Sequence, residues 1–154
     1  MHKSKLLVCV DNTEHSRIAV RFACVRAKSL KYGLQLIHII NPADYTSLFV
    51  SGDKIRAEKR AEAEAVLAKF VEEAKSFAGI TPKVLIREGL VSEEVIKAVE
   101  EDGNINFLII GKAPHEAGKK DMITMLSTEL VSKIMIPMVI VPGNLTDLQI
   151  EELA

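Results

Sequence analysis

Cysteine is scarce: the 154 residues include two, Cys9 and Cys24. Cys9 lies inside an apolar run and Cys24 on the face of a predicted helix, so both read as small buried hydrophobes, not as a disulfide or a metal pair. An excess of charge of either sign is also missing. The 20 basic and 21 acidic side chains leave a net charge of -1, which argues against nucleic acid or an anionic membrane as partner. No apolar run approaches the roughly 18 residues that span a bilayer. The opening MHKSKLLVCV is apolar only from Leu6 to Val10, too short for a signal peptide, so a cytoplasmic protein is expected. Internal repeats and low-complexity segments are absent. So are Gly-x-Gly-x-x-Gly and Gly-x-Ser-x-Gly, the signatures of dinucleotide binding and of a serine hydrolase elbow.

What is present is apolar material for one core. Hydrophobic residues make up 48% of 17.0 kDa, enough for a single domain over 1–154 without a linker. Five short apolar runs recur: Leu6 to Val10, Leu34 to Ile40, Val84 to Ile86, Phe107 to Ile110 and Met138 to Val141. Most are rich in Val and Ile, the pattern of strands buried on both faces of a parallel sheet. Helical patterns separate them. Asp11-Asn12-Thr13 offers a turn and an N-cap, Ile18, Phe22, Val25 and Ser29 share one helical face, and Gly33 closes that helix. Residues 41–54 have no clear period and read as a long loop with Asp53 as candidate cap. Ala63, Val66, Phe70, Ala74 and Phe77 then mark the stripe of an amphipathic helix, ended by Gly79 and Pro82. Gly89 opens a turn into a helix capped by Ser92 and followed by Glu93 and Glu94. A last pattern covers about Met122 to Met135, with Met122, Met125 or Leu126, Leu130 and Ile134 inward, and the C-terminal tail, Asn144 to Ala154, adds one amphipathic turn or frays. Strands alternating with such helices give βαβ units and an α/β three-layer sandwich.

Two strand ends carry polar chemistry, and in an open parallel sheet ligands bind beyond the carboxyl ends of the strands where the winding reverses. One is Asp11 after the first strand, which serves either as a turn former and cap or as acceptor for a ribose or another polyol. The other is the stretch Phe107 to Met125, a strand ending on Gly111 and feeding a polar loop and a helix, where backbone N–H groups meet an anion. Other constellations are weaker. Gly111-x6-Gly118-Lys119-Lys120 has the wrong spacing for a P-loop and no Ser or Thr after the lysine. A phosphoacceptor receiver domain would need an acidic pair, an Asp and a Lys where Asp11-Asn12, Arg87-Glu88 and Pro142 stand. His115, Glu116 and Asp121 match no metal spacing. His15 reads as a surface or capping residue and His38 as a satisfied sheet-face residue.

The chain resembles the universal stress proteins of the UspA family over nearly its whole length. Leu7 to Asp11 followed by Asn12-Thr13-Glu14-His15-Ser16 is similar to that family's opening strand and Asp-Gly-Ser-x-x-Ser. Leu36 to Pro42, Arg87-Glu88-Gly89 with Ser92 to Val95, Phe107 to Gly111, and Pro137 to Val141 resemble its later strands and turns. The resemblance implies a five-stranded parallel sheet of order 3-2-1-4-5, like the adenine nucleotide alpha hydrolases, with strands one and four side by side. It implies a homodimer joined through the fifth strand, Met138, Val139, Ile140 and Val141, and an unidentified regulatory protein partner. It also implies ATP or AMP, with Mg2+, as ligand of Asp11, Asn12, Thr13, Ile39, Gly111, Lys112, Pro114, Thr124 and Met125, the backbone of Ile39 facing the adenine.

The phosphate loop departs from the family. Members that bind ATP carry Gly-x2-Gly-x9-Gly-Ser/Thr after strand four. Here Gly111 matches, Pro114 stands at the second glycine, and Thr124-Met125 or Met125-Leu126 stands at the closing pair. Proline has no N–H to donate, and Met or Leu removes a hydroxyl and adds bulk. Losing two or three charge-assisted hydrogen bonds of about 1.5–3 kcal/mol each weakens nucleotide binding by orders of magnitude. Lys112, Lys119 and Lys120 replace them at best as point charges. The expected function is a cytoplasmic stress or regulatory binding protein without enzymatic activity or tight ATP binding. The alternative is an adenine-nucleotide-binding protein with at most slow ATP hydrolysis.

Overall fold

The computed structural model describes residues 3–45, 52–114 and 127–154. Five strands, β1 (Lys5–Cys9), β2 (Gly33–Ile40), β3 (Lys83–Glu88), β4 (Ile105–Lys112) and β5 (Met138–Pro142), form one sheet in the order β3-β2-β1-β4-β5. Every pairing is parallel. Side chains alternate across β1: Leu6, Val8 and Val10 join one apolar core and Leu7 and Cys9 the other, which is why that run reads as continuously hydrophobic.

The α-helices among the described residues are α1 (Glu14–Leu30), α2 (Gly52–Ala78), α3 (Val91–Glu101), α4 (Ser127–Lys133) and α5 (Asp147–Leu153). Buried residues of α1, α2 and α5 share one core with Leu6 and Leu36, and those of α3 and α4 share the other with Ile37 and Leu108. Three layers result, as the periodicities require.

Several boundaries differ from the sequence reading, each for a local reason. The left-handed residue that ends α1 is Lys31, at φ 58, whereas Gly33 already opens β2. The stretch from 41 to 54 is not all loop, since Pro42–Tyr45 form a 3₁₀ turn and α2 begins at Gly52, which puts Asp53 inside its first turn. Ser92 is likewise within the first turn of α3, whose N-cap position is Leu90 without a side-chain bond. Gly89 reaches this start at φ 151 with the Glu94 side chain against it. β4 does not stop on Gly111, because Gly111 pairs with Val141 and Lys112 with Pro142. α4 ends at Lys133, and Met122, Met125 and Leu126 lie outside the described residues. The tail does not fray: a Thr146–Gln149 capping box starts α5, and Ile150 is fully buried, a contribution of about 1.5–3 kcal/mol.

Candidate functional site

β1 leads to α1 on one face of the sheet and β4 leads toward α4 on the other, so the winding reverses between these neighbours and leaves a crevice beyond their carboxyl ends. Cys9 pairs with Ile110, which puts Asp11 and Lys112 at the same level of the rim.

Asp11 is not the cap of α1. Thr13 is: its Oγ1 accepts from the Ser16 N–H at 3.2 Å. Asp11 instead organises the turn. Its Oδ1 accepts from the Thr13 hydroxyl and from the Ser16 hydroxyl, the latter at 2.8 Å. Ser16 Oγ accepts in return from the Asp11 N–H at 2.9 Å, and Thr13 N–H donates to the Asp11 carbonyl at 2.9 Å. Ser16 is 1% exposed, so this network is held from below by a buried hydroxyl. Asp11 is part-exposed, and its Oδ2 accepts no hydrogen bond from the described residues. The carboxylate is thus fixed by one oxygen and offers the other, an arrangement suited to a hydroxyl donor such as a sugar.

Ile39 contributes backbone. Ile37 O accepts from Val10 N–H at 2.9 Å, and polar groups of a strand point to the same side every second residue. The Ile39 N–H and C=O therefore face the β1 side beyond the last β1–β2 pair, Cys9 with Ile37, over the Asp11 turn. Its side chain is buried against α3. Asn12 is exposed, and its Oδ1 accepts from Lys69 Nζ of α2 at 3.3 Å. His38 is satisfied, its Nδ1–H donating to the Val10 carbonyl at 2.8 Å.

On the β4 side the glycine answers to packing. A Cβ on Gly111 would lie 2.2 Å from the His15 carbonyl oxygen and 2.8 Å from its carbon. The first turn of α1 rests directly on this strand. Gly143, after β5, touches the other side of the same residue, with a Cβ there 2.3 Å from His15 Cβ and 2.7 Å from Lys112 O. His15 is half-buried in the first turn of α1 and does not cap it: its backbone and Cβ are wedged between two glycines, and its Nε2 is buried without a partner among the described residues. Lys112 and Pro114 are exposed. Thr124 and Met125, with His115, Glu116, Gly118, Lys119, Lys120 and Asp121, lie outside the described residues. No trio of metal-ligating side chains stands among the described residues.

Both thiols are inert by environment. Burial and then the Asp11 charge push the Cys9 thiol up to about 12, and burial followed by Glu73 does the same for Cys24. The described residues also line a cavity of about 160 Å³. Its walls, among them Ile96, Val99, Ile105 and Ile136, lie at the opposite end of the sheet, where Asp102-Gly103 leads into β4.

Ser16, Gly143 and the wedge at His15 were not among the candidates from sequence. Ser16 had a signal in its spacing, three residues after the capping Thr13, whereas a glycine contact between distant segments has none.

Residues 3–142 match the model of the Universal stress protein family. The chain belongs to that family. Among curated proteins no sequence matches it. Solved structures share the fold at low identity. UspA of Lactobacillus plantarum superposes with a TM-score of 0.72 at 11% identity, over 92% of this chain and 99% of that one. A family member from Burkholderia pseudomallei gives 0.70 at 16%, over 91% and 96%. A family protein from Arabidopsis thaliana, solved with AMP bound, gives 0.63 at 17%, over 92% of both. No described helix of this universal stress protein is long and apolar enough to cross a membrane.

Proposed function

We propose that this universal stress protein works as one domain over 1–154, a cytoplasmic regulatory binding protein without chemistry of its own, whose rim pocket takes an adenosine-type ligand weakly and gains little from its phosphates. The observation that carries the reading is the divided rim. The Asp11–Thr13–Ser16 side is pre-organised, with Oδ2 open to a ribose hydroxyl and the Ile39 backbone aimed at the space above. On the other side Gly111 is occupied in packing against His15, and Pro114 has no N–H where a second glycine would donate. Calorimetric titration of adenosine, AMP and ATP with Mg2+ tests it. Weak binding that Asp11→Ala abolishes, and that changes less than about threefold from adenosine to ATP, is the expected result. Micromolar ATP against millimolar adenosine, or no heat from any of the three, contradicts it.

The second reading, adenine-nucleotide binding with at most slow ATP hydrolysis, is supported by the AMP complex of the Arabidopsis relative. Release of stoichiometric ATP from the denatured protein would decide for it.

The same proposal makes the protein a homodimer through β5. The two sheet edges differ: β3 carries Lys83, Arg87 and Glu88, charges that discourage strand pairing, while β5 reads Met138-Val139-Ile140-Val141 with Ile140 49% exposed. Sedimentation equilibrium should give a dimer for the parent and a monomer for Ile140→Lys; a monomeric parent refutes the pairing.

A further inference from the structure

We propose that the segment Gly143–Ala154 is a strap along α1 that holds the Asp11–Thr13–Ser16 turn in its binding geometry, with Gly143 and His15 as the positioning pair through which it acts. The segment lies just beyond residue 142, where the family match ends. It is tied to α1 at three levels. At the rim, the Gly143 N–H donates to Lys112 O at 2.8 Å, and the absence of a side chain lets the backbone close on His15. Midway, both oxygens of Asp147 accept from Arg21 Nη1, at 2.8 and 2.9 Å. Farther along, Arg26 Nη1 donates to Ala154 O at 3.1 Å, while Ile150 is buried in the core shared by α1 and α2. From residue 15 to residue 26 is eleven residues, about 16 Å of helix.

The coupling to the site is direct. His15 precedes Ser16, whose hydroxyl both donates to the Asp11 carboxylate and accepts from the Asp11 N–H. The buried Nε2 of His15 has no partner among the described residues, and it is the backbone and Cβ of His15 that packing between Gly111 and Gly143 holds in place. A strap that lifts from His15 frees the first turn of α1 and releases Ser16 from beneath Asp11. Gly143 and His15 touch no ligand in this scheme; they position the residues that do.

Amide hydrogen exchange followed by NMR on the full chain tests this without any ligand. Two amides report on the turn: Asp11, bonded to Ser16 Oγ, and Ser16, bonded to Thr13 Oγ1. In Gly143→Ala, where the added methyl cannot fit, both should exchange at least tenfold faster, while the sheet amides of Leu36 and Leu108 keep their rates. Asp147→Ala, at an exposed carboxylate that leaves the fold intact, should give a smaller acceleration of about threefold at the same two amides, and it decides the matter should Gly143→Ala not fold. Unchanged exchange at Asp11 and Ser16, or acceleration spread equally over the sheet, overturns the strap. The affinity arm rests on the rim pocket proposed above: both variants should weaken AMP binding with the heat of the remaining binding unchanged in sign. A parent that binds no nucleotide removes the pocket reading and leaves the exchange result to judge the strap.

Discussion

Gly111→Ala separates two explanations of one glycine. If the residue is there to let a phosphate approach the backbone, the ligand-free protein tolerates alanine. The packing says otherwise. The new Cβ would sit 2.2 Å from the His15 oxygen and 2.8 Å from its carbonyl carbon, inside the 3.0 Å that real Cβ atoms keep. Both are backbone atoms, so no rotamer change relieves the overlap, and the first turn of α1 must withdraw from β4 by about 1 Å. Overpacking of this kind costs about 1–3 kcal/mol, with the upper half expected because the obstacle is main chain. For a domain of this size each kcal/mol lowers Tm by about 2–4 °C, so a fall of about 4–12 °C is expected. With a urea m-value of about 2 kcal/mol/M the midpoint moves by about 1 M. Scanning calorimetry and urea titration of the ligand-free variant measure both. Stability within about 0.5 kcal/mol of the parent, with nucleotide binding alone impaired, would refute the packing account.

The remaining predictions concern pH and thiols. The Cys9 and Cys24 thiols are raised from 9.0 to about 12 in the folded state, so their contribution is intact below pH 9 and is lost as pH rises from about 9 towards 12. Stability should fall there by up to about 1.4 kcal/mol per pH unit for each thiol, and Cys9→Ala should flatten the slope of the urea midpoint measured from pH 8 to 11. Below pH 9 an aromatic disulfide should label neither thiol faster than the protein unfolds. Glu73 behaves oppositely. Burial raises its pKa, but hydrogen bonds from Arg21 and Arg17 outweigh this and hold it below 4.5. Its contribution is present above the unfolded value and is lost as pH falls through the lowered folded value, so Glu73→Gln should lower stability at pH 7 and converge with the parent as acid protonates the carboxylate, in acid unfolding monitored by circular dichroism.

Periodicity was enough for the architecture, because the central runs of β1 and β4, Leu6 to Cys9 and Leu108 to Ile110, are buried and apolar without interruption. The 3-2-1-4-5 order came from the family resemblance, since no local pattern specifies which strands are neighbours. Local pattern and structure part at turn residues, which need not take their commonest role. Gly33 has the character of a C-cap, but Lys31 adopts the left-handed conformation two residues earlier, and Ser92 has that of an N-cap, but Gly89 lets α3 start sooner. Asp11 was placed correctly at the rim, yet its partnership with buried Ser16 needed the turn in three dimensions. The wedge of His15 between Gly111 and Gly143 joins residues from three elements, so single-chain spacing carries no trace of it.

The central claim is that this pocket recognises the sugar and base side of a nucleotide and has lost its grip on the phosphates. Isothermal titration of the parent protein with adenosine and then with ATP and Mg2+, under one buffer, tests it most directly. The account predicts weak dissociation constants that agree within about threefold, both binding events vanishing in Asp11→Ala. An ATP affinity a hundredfold or more above that of adenosine, the about 2.7 kcal/mol that restored phosphate contacts would supply, would contradict it.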